Sequence, residues 1–141
     1  MEKPVSAKVP NNADLQERLW RARRYIDEQY QMPLNLTDMS RQACLSRYHF
    51  LRLFRQTFAT TPHQYLIQRR IAEAKQLLRL RSLSVTDVCF EVGFESLGSF
   101  SSLFRKHVGT APALYRRRER EALSKVHGCF VAIFGLSQSL D

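Results

Sequence analysis

The feature that most constrains this chain is a phrase written twice. Residues 53–65, LFRQTFATTPHQY, and residues 103–115, LFRKHVGTAPALY, share Leu, Phe, Arg, Thr, Pro and Tyr at a constant offset of 50. Extended upstream, residues 36–65 align with 85–115, the offset being 49 before an internal connection and 50 after it. Loops accept an inserted residue and helices do not, so the second copy holds its extra residue in a connection. In a chain of 141 residues the repeat predicts two small units of one supersecondary design.

Each copy reads as a short capped helix, a tight turn and a second helix. Asn35 precedes LTD and Ser84 precedes VTD, so each candidate N-cap has an Asp three residues later, where a carboxylate satisfies free backbone donors and suits the positive helix end. Ser40 and Cys89, with Ala43 and Val92 near the helix exits, are small enough to let the next helix cross closely. Gly93 suits a left-handed turn residue; its counterpart Cys44 must adopt that conformation at a cost or use a different turn. In the second helix of each copy, Phe50, Leu53 and Phe54 match Phe100, Leu103 and Phe104 as an inward stripe. That placement turns Tyr48, Leu51, Arg52 and Arg55 outward in one copy and Gly98, Ser101, Ser102 and Arg105 outward in the other. An exposed helix backed by a short one is the geometry that enters a major groove.

The flanking segments complete an all-α chain of about seven helices. DLQERLWRARRYIDEQY sets Leu15, Leu19, Ala22 and Ile26 on one helical face, starting near Asp14 and ending before Pro33. TPHQYLIQRRIAEAKQLLRLRS starts near Pro62, at a first-turn position that tolerates proline. It carries Tyr65, Leu66, Ala72, Leu77 and Leu80, and about 19 residues give a rod of roughly 28 Å. The expected organisation is a disordered lead-in at 1–13, a first helix-turn-helix unit at 14–61, a linker helix at 62–81, a second unit at 82–118 and a tail at 119–141.

Charge narrows the partner. Lys+Arg 22 against Asp+Glu 13 gives +9, and 17 of the basic residues are Arg, whose planar fork suits phosphate and guanine edges. Nucleic acid leads on this ground, ahead of a membrane surface or an acidic protein. Cys44, Cys89 and Cys129 lack disulfide or zinc spacing, and the histidines His49, His63, His107 and His127 have no partner at ligand spacing. No catalytic constellation, cofactor or metal is expected. The apolar run at 129–136 is too short to span a bilayer and the N-terminus has no hydrophobic leader region, so a reducing cytoplasm is the expected location.

The capped helices, LSRYHFLRLFR, GFESLGSFSSLFRKHVGTAP and the following LYRRR together resemble the AraC/XylS family of bacterial transcription regulators, over about residues 14–118. The resemblance implies a DNA-binding domain of two helix-turn-helix units bridged by a long helix, reading successive major-groove segments about 34 Å apart on one duplex. It implies base contacts from Arg47, Tyr48, Leu51 and Arg52, and from Leu97, Gly98, Ser101 and Ser102. Arg55, Arg105, Lys106 and Arg116 are the expected phosphate contacts. Arg52 suits a bidentate grip on guanine O6 and N7, or alternatively a phosphate; Tyr48 and Leu51 suit a thymine methyl, and Tyr48 equally a sugar. Serine discriminates bases poorly, so the second unit is expected to grip backbone more than it reads sequence. Promoter DNA, RNA polymerase contact and activation are what the family implies, with a monomer on DNA and tail-mediated association open. With about a dozen residues ahead of the first helix, a complete chain would resemble the family's single-domain members, as the starting Met1 favours, and a fragment would have lost a sensor domain. Two competing readings are a nonspecific architectural DNA binder and a helical adaptor for an acidic protein surface. The C-terminal KVHGCFVAIFGLSQSLD lies beyond the resemblance, with folding back, strand pairing or docking as its options, and burial is the expected default because an exposed apolar stretch so dense would be an association hazard.

Overall fold

The computed structural model describes residues 11–134. Among them the chain forms α1 (Asn12–Gln29), α2 (Leu36–Gln42), α3 (Arg47–Phe58), α4 (Pro62–Leu80), α5 (Val85–Glu91), α6 (Leu97–Val108) and α7 (Pro112–Phe134), with no strand. The all-α expectation holds. Organised structure begins two residues ahead of Asp14; the lead-in through residue 10 and the end of the tail, 135–141, lie outside the described residues. Against the expected burial, residues 125–133 of the C-terminal segment continue α7 and are exposed. Two compact units divide the chain, one running to Arg69 and the other starting at Arg70, so the division falls inside α4.

In the first unit Leu19, Ala22 and Ile26 of α1 meet Met39 and Ala43 of α2, Phe50 and Phe54 of α3 and Leu66 of α4, all essentially buried. Leu15, on the same stripe, is half-buried. In the second unit Val88, Cys89, Val92, Phe100 and Phe104 are fully buried. Removing one of these phenylalanine rings would cost about 3–5 kcal/mol. Along α4, Leu66, Ile67, Ile71, Ala74 and Leu78 are buried, while Leu80 and Ala72 are exposed.

The repeated phrase now has a physical meaning. Phe54 and Tyr65 meet edge-on with ring centroids 6.1 Å apart, and Phe104 and Tyr115 do the same at 5.5 Å. Upstream, Phe50 packs on Phe54 at 5.4 Å and Phe100 on Phe104 at 5.7 Å. Pro62 and Pro112 each open the following helix, where a missing N–H costs nothing. The repeat therefore specifies how a recognition-type helix is held against the helix after it.

Tyr65 is also the centre of a polar lock in the first unit. Its hydroxyl donates to Asp27 Oδ1 at 2.7 Å and accepts from Arg23 Nε at 3.0 Å. The Arg23 guanidinium lies 4.8 Å from the Trp20 ring and 5.0 Å from those of Phe58 and Tyr65. Burial, reinforced by Asp27 and opposed by Arg23, pushes the Tyr65 hydroxyl above the ordinary tyrosine range. The lock ties α1 to the end of α3 and the start of α4.

Candidate nucleic-acid interface

Each outward helix is set by a cap, a turn and a stop. Asn35 and Ser84 each accept a hydrogen bond from the backbone N–H of the Asp three residues on, and Asp38 and Asp87 accept from the cap N–H in return. These capping boxes fix the start of α2 and α5. At the turn, Leu45 N–H donates to the Ser40 carbonyl at 3.2 Å and Phe94 N–H to the Cys89 carbonyl at 3.1 Å. This closure requires a left-handed residue, and both copies supply it: Gly93 at φ 97° and Cys44 at φ 52°. Cys44 thus takes the costly option, with no alternative turn. Ser46 and Ser96 then cap α3 and α6 by accepting from His49 and Ser99 N–H. The residue inserted in the second copy is Glu95, exposed in the connection just before Ser96.

The outer face of α3 carries Arg47, Tyr48, Leu51, Arg52 and Arg55, all exposed, with Tyr48 at 79% and Leu51 at 37%. Tyr48, Leu51, Arg52 and Arg55 share a groove of about 430 Å³ with Gln56 and Thr61. Gln56 is a residue that the outward face had not suggested, although it stands one helical turn beyond Arg52. Thr61 could be found only from the fold, since it belongs to the cap of the next helix, where Gln64 N–H donates to its hydroxyl at 3.2 Å.

The outer face of α6 is different in character. Leu97, Gly98, Ser102, Arg105 and Lys106 are exposed, whereas Ser101 is only half-exposed. A methyl built on Gly98 meets nothing within 4 Å, so the helix surface there is bare. Neither α3 nor α6 contains an Asp or Glu, in a chain that has 13 of them. Arg47, Arg52 and Arg55 make α3 cationic, and Arg105 and Lys106 do so for α6. Such a pair of faces presents donors and apolar surface to a polyanion and no carboxylate to repel it.

Arg116 is placed otherwise than these residues. Its Nε donates to the Leu78 carbonyl at 3.3 Å and its guanidinium also donates to the Leu83 carbonyl, while Arg120 donates to the Arg81 carbonyl at 2.6 Å. Leu78 lies in the last turn of α4, whose carbonyls lack helical partners, so the two arginines close that helix end and the connection after it. Burial first, and the Arg120 charge second, push the Arg116 guanidinium below the ordinary arginine value.

Two capped helix pairs, each with an acid-free outer helix, define a double helix-turn-helix protein. A family model described as a helix-turn-helix domain matches residues 39–118. The regulatory protein SoxS of Salmonella typhimurium is 31% identical over 94 residues, covering 67% of this chain and 88% of that protein. The probable transcriptional regulator LumQ of Photobacterium leiognathi is 35% identical over 92 residues, covering 65% of this chain but 37% of that protein. Among solved structures, the DNA-binding domain of AdpA, in complex with a target DNA, superposes with a TM-score of 0.72 at 30% identity, covering 74% of this chain and 95% of that one. An AraC-type regulator from Chromobacterium violaceum does so with a TM-score of 0.68 at 31% identity, covering 77% and 96%. The chain belongs to the AraC/XylS family of transcription regulators, and its helices form that family's DNA-binding domain. It spans just over a third of the length of LumQ. No described helix is long and apolar enough to cross a membrane.

Proposed function

We propose that this chain regulates transcription by sequence-specific binding to double-stranded promoter DNA, inserting α3 and α6 into successive major-groove segments of one duplex. The observation that carries the reading is the face of α3: donors and apolar side chains around one open groove, backed by the buried Phe50 and Phe54. The target DNA bound by AdpA and the relative from Providencia stuartii named as the activator AarP support it. Base contacts fall to Arg47, Tyr48, Leu51 and Arg52, and to Leu97, Gly98, Ser101 and Ser102; Arg55, Arg105 and Lys106 hold phosphates. Arg116 is left to the fold, because its guanidinium is already engaged with carbonyls. Activation through contact with RNA polymerase, in the cytoplasm, is part of the same reading.

The test is selection of bound sites from random duplexes, followed by titrations of Arg52→Ala and Lys106→Ala. Arg52→Ala is expected to lose about 1–3 kcal/mol of discrimination at a single base pair. Lys106→Ala should weaken all sequences alike and flatten the salt dependence by about 0.9 in log–log slope. An Arg52→Ala chain that weakened every duplex equally would favour an architectural binder instead. Duplex binding insensitive to salt would favour an adaptor for an acidic protein.

A further inference from the structure

We propose that Arg23, Asp27 and Tyr65 form a clamp that orients α3 on DNA by holding its C-terminal end, with Tyr65 as the positioning residue. The inference rests on the reading of α3 as the helix that meets base pairs. Between α3 and α4 the chain turns a corner at Ala59, whose φ of 57° is strained for a residue with a side chain. Arg55, Gln56 and Thr61 flank this corner and share the open groove. A strained backbone persists only where its surroundings over-determine it. Here α1 holds both sides of the corner. The Arg23 guanidinium lies 5.0 Å from the ring of Phe58, just before it, while Arg23 Nε donates to the hydroxyl of Tyr65, beyond it, at 3.0 Å. Asp27 Oδ1 accepts from that hydroxyl at 2.7 Å, and Trp20 meets the Phe58 ring edge-on at 5.1 Å. The turn after α2 fixes the other end of α3, so the clamp completes its orientation.

The second copy is an internal comparison. The buried residues of α1, Leu19, Ala22 and Ile26, match Ile71, Ala74 and Leu78 of α4 at a constant offset of 52, so α4 opens the second unit as α1 opens the first. At that offset Trp20, Arg23 and Asp27 become Ala72, Lys75 and Arg79. No carboxylate takes the place of Asp27. Lys75 keeps a cation near the Tyr115 ring, 5.9 Å from its centroid, but Val108 stands where the first copy has Phe58. The corner there falls on Gly109, whose φ of 95° carries no side-chain penalty. Strain and clamp thus occur together in the first unit, and the second has neither. A device needed only to keep such a unit folded would be needed in both copies, whereas one that holds a strained corner is needed only where strain exists. The unit that has it is the one whose outer helix carries the long side chains, and for these a slightly misplaced support is most damaging.

The test compares Tyr65→Phe with the wild-type chain on two duplexes: a site selected from random sequence, and the same site with one half scrambled, the half whose base preference Arg52→Ala alters. The substitution removes both hydrogen bonds and keeps the ring against Phe54. Affinity for the selected site is expected to fall roughly tenfold, as when the competent corner is populated about a tenth of the time, with little loss on the scrambled site. Arg23→Lys, which brings in the second copy's residue type and loses the planar fork, should show the same pattern. Ala59→Gly should leave the wild-type affinity unchanged and restore most of the loss in the Tyr65→Phe chain, because glycine adopts the corner unaided. Circular dichroism at the assay temperature keeps folding apart from positioning. Wild-type affinity in both Tyr65→Phe and Arg23→Lys overturns the proposal, and so does an equal loss on the two duplexes, which is what destabilisation alone gives. A loss that Ala59→Gly does not restore overturns the corner as the point held by the clamp. A wild-type chain that selects no site overturns the reading of α3 first, and the clamp with it.

Discussion

At the scale of single residues, the two copies differ most where the backbone turns left-handed. The second copy has Gly93 and Gly109 at its two positive-φ positions, whereas the first has Cys44 and Ala59. A side chain in that conformation costs about 1–2 kcal/mol, and glycine gives back about 0.5–1 kcal/mol in lost freedom on folding. Cys44→Gly is therefore expected to stabilise the chain by about 0.5–1 kcal/mol, read as a higher urea midpoint at unchanged slope, and Gly93→Ala to destabilise it by about 1–2 kcal/mol. A lower midpoint for Cys44→Gly would mean that the thiol contributes something the turn geometry does not show. The need at Gly93 was legible from glycine itself. That Cys44 bears the strain rather than changing the turn was not, because the choice depends on α2 and α3 packing through Ser40, Ala43 and Phe50.

At the scale of elements, caps and inward stripes were plain in the sequence because each is local: an Asn or Ser three residues before an Asp, and phenylalanines at helical spacing. The division of labour among arginines was not. Arg116 stands in a charge cluster, YRRRERE, that by sequence suits either phosphate contact or a solvated helix end, yet it and Arg120 reach carbonyls more than thirty residues away in sequence. Removing it should loosen the α4 exit. Arg116→Gln is expected to cost about 2 kcal/mol, the scale of a lost hydrogen bond from a charged donor, and to speed amide exchange most at residues 81–85. Uniformly faster exchange across the second unit would instead mean that Arg116 supports the whole core. Gln56 and Thr61 lie closer by: one was recoverable by continuing the face of α3 one turn, the other came from the connection to α4 folded beside it.

At the scale of the whole molecule, one fold carries two outer helix faces of unlike chemistry. The α3 face offers Arg47, Tyr48, Leu51 and Arg52, while the α6 face offers Gly98 and serines backed by Arg105 and Lys106. Long side chains with fixed donor geometry discriminate bases; a short hydroxyl bonds to several. Selected sites should accordingly show a sharp half and a diffuse half, and scrambling the diffuse half should cost several-fold less affinity than scrambling the sharp one. Equal penalties would assign α6 a reading role through its bare backbone. By itself the sequence determined the helix count, the duplication, the caps and the inward rings, because each rests on spacings of three to fifty residues that recur in order along one chain. Only the tertiary structure decided which charges are spent on the fold and which face outward, that Cys44 takes the strained turn, and that residues 121–133 of the last described helix are exposed. Those outcomes depend on which distant groups come within a few ångströms of one another, and spacing along a chain does not measure that distance.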